Sequence, residues 1–507
     1  MNRSPHERAV FPTIRNNLNF DLKMNNRRTV HPAAFLAIAL IISAAAAPLA
    51  RADDAAEIQA LKAEIRVMEQ KISALEKREA GSESGAPVAA APAAPAVAPV
   101  AGTATVTVND SGLVATAIDH SGYFHVGGIA QFDSRMFVHD GGGVLNNGFI
   151  LRRARIVTDG TFDKIYSFQF TPEFGNGSGG TANAFTILDA NITIALTPQA
   201  QLKVGKFKTP IGLEELQADP STNFAERSLV NNLMPNRDVG AMVGGALFSG
   251  TVNYTVGLMN GIADSTTSSG NSDFDNDKDG VARIFLTPFF HEKDSVWQGL
   301  GVGISGSDGR QKGLSGVTAG FKTDGQQTFF KYNSTVFADG QVLRLSPQAY
   351  YYSGPFGVLG EYAVSILNAR PTAPAGTTVP AKTQLENKAW EVSAGYVLTG
   401  EDSTYAGVTP KAPFNWQNGT WGAWQAVARY SDLKIDPKTF PLFASPLSNA
   451  AEARAAGVGV NWYLTKAVRI TQDYFQTSFS NNAGPVSTSQ ILRQDEKAFI
   501  TRVQIVF

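Results

Sequence analysis

The chain closes on the stretch AFITRVQIVF, residues 498–507. Counted back from the last residue, Phe507, Ile505, Val503, Thr501 and Phe499 share one side of an extended strand. Val506, Gln504, Arg502, Ile500 and Ala498 share the other. One side is apolar and aromatic; the other carries an arginine. An apolar strand with a free edge invites aggregation, so this strand needs partners on both sides. A closed barrel, in which the last strand pairs with the first, supplies them. The last strand of a soluble β-sandwich reads the same way when the segment is taken by itself.

Composition narrows the choice. The 507 residues are 17% charged, with 48 glycines and no cysteine, and the formal net charge is -1. Beyond residue 52 no apolar run is long enough for a membrane helix, which excludes a helical membrane protein but not a barrel that crosses with strands. Nothing suggests the basic surface that nucleic acid requires. The absence of cysteine is compatible with export, because a large barrel does not need disulfides.

The segment Met24 to Ala52 reads as a secretory signal. Arg27 and Arg28 supply its charge, residues 33–47 its apolar core, and Ala50-Arg51-Ala52 a small-x-small cleavage pattern. The expected start is Met24, with residues 1–23 as an extension and Asp53 as the first mature residue. A single membrane anchor is the other reading, disfavoured by the short core. Removing residues 1–52 takes away more basic than acidic groups, so the exported part is more acidic than the whole.

Residues 53–80, DDAAEIQALKAEIRVMEQKISALEKREA, place Ile58, Ile65 and Ile72 at one heptad position and Leu61, Met68 and Leu75 at the other. This predicts a short α-helical coiled coil, or else one amphipathic helix lying on a domain. Residues 81–120 begin GSESGAPVAAAPAAPAVAPVAGT, which is a semi-extended Ala/Pro linker.

Residues 121–507 are predicted to be all β. In YFHVGGIAQFDSRMFV (123–138), Phe132 and Met136 alternate with Asp133 and Arg135; in KAWEVSAGYVLTGE (388–401), Trp390 and Val392 oppose Glu391 and Ser393. Sixteen such segments can be counted, with QTFFKYN (327–333) left out for want of an equal neighbour. The expectation is a 16-stranded antiparallel transmembrane β-barrel preceded by the coil. Long connections at 209–238, 261–280, 307–341, 367–387, 401–420 and 433–451 are expected to face outside, and short turns the periplasm. A barrel of this size leaves an aqueous channel, unlike an eight-stranded one.

If the apolar faces meet lipid, parity turns Arg135, Arg153, Arg155, Lys203, Arg344, Arg429, Arg469 and Arg502 inward, together with Asp133, Glu173, Asp189, Glu361 and Glu391. A mixed-charge wet wall is the plain reading. The sharper one is oxyanion recognition, because the planar fork of arginine bonds oxyanions bidentately. One charge at about 4 Å attracts another by roughly 4 kcal/mol at an effective dielectric of 20. The loop opening in QLKVGKFKTPIGLEELQADPSTNFAERSLVNNLMPNRDVG (201–240) is expected to fold inward and narrow the barrel. It would bring Lys206, Lys208, Arg227 and Arg237 to the narrowing, opposed or oriented by Glu214, Glu215, Glu226 and Asp238. Strict alternation sets Lys206 and Lys208 opposite Lys203, so a bulge is needed to bring all three inward.

Several of these motifs resemble, in the same order, the phosphate-selective outer-membrane porins of the O/P type. They are VGKFKTPIGLE…FAERSLVNNLMPNRDVG, GGIAQFDSRMF, FILRRARI, RIFLTPF, SPQAYYYSGPFGVLGEY and AWEVSAGYVLTGED, spanning about 121–507. The resemblance implies a homotrimer of 16-stranded barrels in the outer membrane, with the third extracellular loop folded inward. It also implies an arginine ladder that includes Arg152 and Arg153, and a lysine cluster with Lys206 and Lys208 that draws in phosphate. The loop departs from the family pattern in carrying Glu214-Glu215 with no arginine before Arg227.

Other chemistry is weaker. DFDNDKDG (273–280) offers Asp275, Asp277, Asp279 and Gly280, but Leu286 stands where a calcium loop needs its bidentate glutamate. The six histidines make no metal-ligand cluster. No nucleophile–base pair stands out, so no enzyme activity or cofactor is expected. The expected partners are small phosphate-like anions, outer-membrane lipid and further copies of the chain. Open alternatives are a general or other-solute porin, and a barrel that anchors while the coil reaches peptidoglycan.

Overall fold

The computed structural model describes residues 104–138, 145–175, 185–268, 273, 275–313, 317, 320–373, 378, 380–480 and 494–507. The expected signal, the coil and the linker as far as residue 103 lie outside the described residues.

Alternation of small and apolar residues around a tight turn makes the first hairpin, β1 (Ala104–Asn109) and β2 (Gly112–Ala117). Gly112 turns it at φ 96°, where a Cβ would stand 2.3 Å from the Val126 carbonyl oxygen. Residues 104–117, assigned to the linker from composition, are therefore strand. The Val106/Val108 alternation outweighs the alanine-rich surroundings.

The wall follows: β3 (Tyr123–Phe137), β4 (Gly148–Phe162), β5 (Tyr166–Glu173), β6 (Thr186–Thr197) and β7 (Ala200–Lys208). Then come β8 (Arg237–Leu247), β9 (Val252–Met259), β10 (Asp279–Leu286) and β11 (Leu300–Gly313). A short two-stranded piece, β12 (Phe321–Lys322) with β13 (Thr328–Phe330), stands apart from the wall. The wall resumes with β14 (Val336–Ser353), β15 (Phe356–Pro371), β16 (Thr383–Val397) and β17 (Ala423–Lys434). It ends with β18 (Glu452–Tyr463), β19 (Val468–Ser480) and β20 (Glu496–Val506). All neighbours are antiparallel, and β20 pairs with β3 from Ala498↔Phe137 to Val506↔Ile129. The result is a closed, all-β, 16-stranded antiparallel barrel.

Closure settles the question posed by the last strand. Phe499, Val503 and Ile505 point outward and exposed, while Ala498, Ile500, Arg502 and Gln504 point inward and are buried. Phe507 N donates to Gly128 O (3.0 Å), and Gly128 N donates to Phe507 O (2.6 Å). Strand β2 continues the same side of β3, from Leu113↔Val126 to Thr116↔Tyr123.

Connections alternate between the two ends of the barrel. The turns after β4, β6, β8, β14 and β18 are tight, and Asp163 and Lys164 both take left-handed φ (48° and 62°) in the first of them. The connection between β16 and β17 lies at this same end. It contains 401–420, which length alone had assigned to the outer side. An antiparallel walk fixes the end by strand order, and loop length does not override it. The connection expected at 307–341 also shortens, because β11 runs to Gly313 and β14 starts at Val336.

The apolar core lies inside the barrel. Leu229, Val230, Leu233 and Met234 of the 209–236 connection meet Phe321, Phe329 and Phe330 of the β12–β13 piece. They also meet small inward residues of the wall, among them Ala363, Ala369, Ala389 and Ala453. Alanines on β15, β16 and β18 leave the room that this packing needs. Each fully buried Leu contributes about 1.5–3 kcal/mol relative to an exposed one.

Candidate functional site

Beyond Lys208 the strand pattern stops at Pro210 and at Gly212, whose φ is 83°. The chain then enters the lumen as one helical turn, α1 (Leu213–Leu216), and two 3-10 turns at Asp219–Ser221 and Leu229–Leu233. Its entry is held by Glu361 on β15, whose carboxylate accepts from Leu213 N (2.6 Å) and Glu214 N (3.3 Å). Glu214 accepts from Arg429 Nη1 (3.0 Å) on the wall and from Ser228 N (2.7 Å) within the loop. The Leu229–Leu233 turn packs against β15, β16 and β17.

Two carboxylates of this loop sit in clusters of arginines. Glu226 Oε1 accepts from Arg152 Nε (2.6 Å), Arg135 Nη2 (2.7 Å) and Arg502 Nη2 (2.9 Å), while Oε2 accepts from Arg152 Nη2 (2.9 Å). Asp219 is ion-paired with Arg155, with Arg153 Nε (3.3 Å) and with the loop's own Arg227 Nη1 (2.6 Å).

A β-bulge makes the first cluster possible. Gln131 pairs with Arg153 and Phe132 with Leu151, so Arg152 is the extra residue. Leu151 stays on the lipid side, and Arg152 and Arg153 both turn inward. Simple alternation would have sent one of the two outward.

Burial alone would raise the pKa of both loop carboxyls, but the guanidinium groups overcome it. Arg152, Arg135 and Arg502 hold Glu226 well below its usual range. Arg153, Arg227 and Arg155 do the same for Asp219. Both loop carboxylates are ionised anions inside the barrel.

The remaining expected cations are dispersed. Arg237 donates Nε to both oxygens of Asp189 (3.1 and 3.2 Å). Lys203 faces the same interior, 5.5 Å over the Phe207 ring. Lys208 Nζ donates to the carbonyls of Glu215 (2.5 Å) and Gln217 (3.1 Å), so it braces the loop. The bulge expected between Lys203 and Lys208 is absent, for β7 pairs one-for-one with β8 from Gln201 to Lys208. The irregularity there is Gly205 at φ 123°, and a Cβ at Gly205 would lie 2.3 Å from the Ala190 carbonyl oxygen. By register Lys206 stands opposite in parity to Lys203 and Phe207. Arg344 is engaged by Asp264 (Nε–Oδ1 2.6 Å), Ile262 O (2.6 Å) and Asp279 (3.4 Å), so it ties down the β9–β10 connection. The calcium-like acids are likewise engaged by protein: Asp275 accepts from Lys312 N (2.8 Å) and Asp277 N (2.9 Å). Among the described residues no group of three acids or histidines could hold a metal.

Sequence reading missed three contributors, Asp219, Asp324 and Tyr405. Asp219 accepts from wall arginines, as does Glu226, which had been expected only to oppose or orient the loop cations. Asp324, between β12 and β13, pairs with Arg429 from another inserted connection. Tyr405, from the tight-turn end, donates Oη to Leu213 O (2.5 Å) and accepts at its carbonyl from Gln217 Nε2 (2.7 Å). The buried aromatics of 321–332 were the one available signal for the second insertion.

This architecture matches a known family model, described as phosphate-selective porin O and P, over residues 124–507. The chain belongs to that family. It is an outer-membrane porin, a channel built on a β-barrel. A curated relative, Porin O of Pseudomonas aeruginosa, is 25% identical over 440 residues, 80% of this chain and 93% of the relative. Among solved structures, the outer membrane channel DcaP of Acinetobacter baumannii aligns with TM-score 0.49 and 10% identity, covering 77% of this chain and 99% of that one. An anion-selective porin from Comamonas acidovorans aligns with TM-score 0.48 and 11% identity, covering 76% and 100%.

Proposed function

We propose that this porin is a passive diffusion channel with a preference for small anions such as phosphate. The observation that carries the reading is the convergence of Arg135, Arg152 and Arg502 from three adjacent strands on one lumenal carboxylate. Forks held this way recognise oxyanions, and the planar guanidinium reads two oxygens at once. Arg153, Arg155 and Lys203 extend the cationic wall on β4 and β7. Arg227, Arg237 and Lys208 serve it by holding the loop in place.

A general or other-solute porin is favoured by one specific observation: the cations clustered around Glu226 and Asp219 already have carboxylate partners. Reversal potentials in a KCl gradient across a planar bilayer separate the two. The proposal expects anion selectivity and phosphate block of the chloride current. A cation-selective channel would end it.

The reading extends to assembly. Residues 53–80 form a periplasmic coiled coil that assists trimerisation or reaches peptidoglycan, and residues 121–507 meet lipid through their apolar faces. Deleting 53–103 tests this. Lost trimers mean assembly; lost envelope cohesion with unchanged conductance means tethering; neither effect removes the coil from the account.

A further inference from the structure

We propose that Glu226 is a resident counter-anion that a permeating oxyanion displaces, with Arg152 as the point of exchange. This rests on the anion-channel reading and names how that site is regulated.

The first support is saturation. An ionised carboxylate has two oxygens and about four lone-pair directions. Glu226 accepts four N–H donors from Arg152, Arg135 and Arg502, three on Oε1 and one on Oε2, so its charge is fully engaged. What the wall recognises is an oxyanion, and the loop supplies one. A phosphate offers the same fork the same kind of acceptor.

The second support is the uneven distribution of alternatives. If Glu226 leaves, Arg502 keeps a bidentate pair with Asp133, Nε to Oδ1 at 2.6 Å and Nη2 to Oδ2 at 2.7 Å. Arg135 keeps Asp133 at 2.9 Å. Arg152 keeps no hydrogen bond, because among the described residues its guanidinium bonds Glu226 alone, and Asp133 and Asp219 act on it only through their charge. Its fork is therefore the one that a solute must satisfy. It is also the reachable one: the Arg152 side chain is 19% exposed, against 3% for Arg135 and 0% for Arg502.

The third support is that the exchange leaves the loop anchored elsewhere. Glu361 still holds Leu213 and Glu214, and the Leu229–Leu233 turn keeps its apolar seat. Asp219 keeps Arg153, Arg155 and Arg227. Only the Glu226 side chain has to swing away, because its backbone stays held by Arg429 Nη1 on Glu226 O (3.0 Å) and by Ala225 N on Asp473 (2.8 Å).

The test uses the full-length channel in planar bilayers, with chloride carrying the current and inorganic phosphate as the probe. In Glu226→Gln the competing charge is gone while the shape is kept, so half-block is expected at about tenfold less phosphate than in wild type. Arg152→Gln is expected to raise the half-blocking concentration by a similar factor, and the double variant to behave like Arg152→Gln. If Glu226→Gln does not assemble, Glu226→Asp replaces it, because the shorter arm cannot span three arginines and the same strengthening is expected. An anion-selective wild type with an unchanged half-block in the Glu226 variant overturns the exchange and leaves the anion reading intact. A higher conductance without tighter block also overturns it, since that is mere loosening of the loop. A cation-selective wild type overturns both.

Discussion

Arg502 of the last strand and Asp133 of the first are direct cross-strand partners, and they close the barrel with a two-bond fork that is fully buried. The seam is thus pinned on its lumenal side by an ion pair and at its end by Phe507 on Gly128. Removing one member of a buried pair costs about 3–5 kcal/mol where the other charge is left uncompensated; Arg502 retains Glu226, so the cost here falls below that range, and replacing both by apolar groups costs less still. Asp133→Leu alone should therefore lower the urea midpoint of the folded barrel in detergent more than Asp133→Leu/Arg502→Leu does. Simple additivity of the two changes would show that the seam does not depend on this pair.

The bulge at Arg152 makes a prediction about deletions. Because Arg152 is supernumerary in the β3–β4 ladder, deleting it restores one-for-one pairing and leaves Leu151 outward and Arg153 inward. Deleting the neighbouring Ala154 instead lets the ladder close only if Arg153 takes the outward position opposite Ala130, which puts a guanidinium on the lipid face. The first deletion should yield folded, heat-modifiable barrels on gels, and the second should yield few. Equal yields would mean that the bulge is not an insertion in this sense.

The loop carboxyls set a pH window. Glu226 and Asp219 have folded pKa values pressed well below their ordinary 4.5 and 3.8. For depressed acids the stabilisation is fully present above the unfolded values and is lost as pH falls toward the folded ones. Their contribution is therefore constant from pH 8 down to about 5 and declines only in stronger acid. Unfolding free energy measured between roughly pH 5 and pH 3 should fall, and Glu226→Gln/Asp219→Asn should flatten that slope. A slope that the double change leaves untouched would assign the acid sensitivity to other groups.

Much of this was readable along the chain. Alternation in 498–507 and in its fellows gave sidedness, because a strand's period is two whatever it pairs with. The inward set, from Arg135 to Arg502, follows from parity alone. Three things were not readable, for physical reasons. A bulge leaves no mark in composition, so parity turned Arg153 inward and left Arg152 out, and only the family resemblance put both on the ladder. The acceptor role of Glu226 depends on a contact 276 residues away in sequence, with Arg502. And the end of the barrel from which 398–422 enters is fixed by counting strands, whereas its length resembles that of the outer loops.

That last connection carries a prediction of its own. Tyr405 rises from the tight-turn end, stacks on Tyr350 at 5.5 Å and 23°, and donates to Leu213 O at the start of α1. The loop entering from one end is thereby braced by a turn from the other. Tyr405→Phe removes one hydrogen bond but keeps the stack, so it should cost about 1 kcal/mol and change single-channel conductance little. Tyr405→Ala removes both contacts and opens space directly beneath α1. Its conductance should rise clearly above that of wild type, because the loop loses its support on that side while Glu361 still holds it on the wall. If Tyr405→Ala conducts like wild type, the Tyr405 side chain does not brace the loop, and α1 is held by the Glu361, Arg429 and Lys208 contacts with the Gln217 bond to the Tyr405 carbonyl.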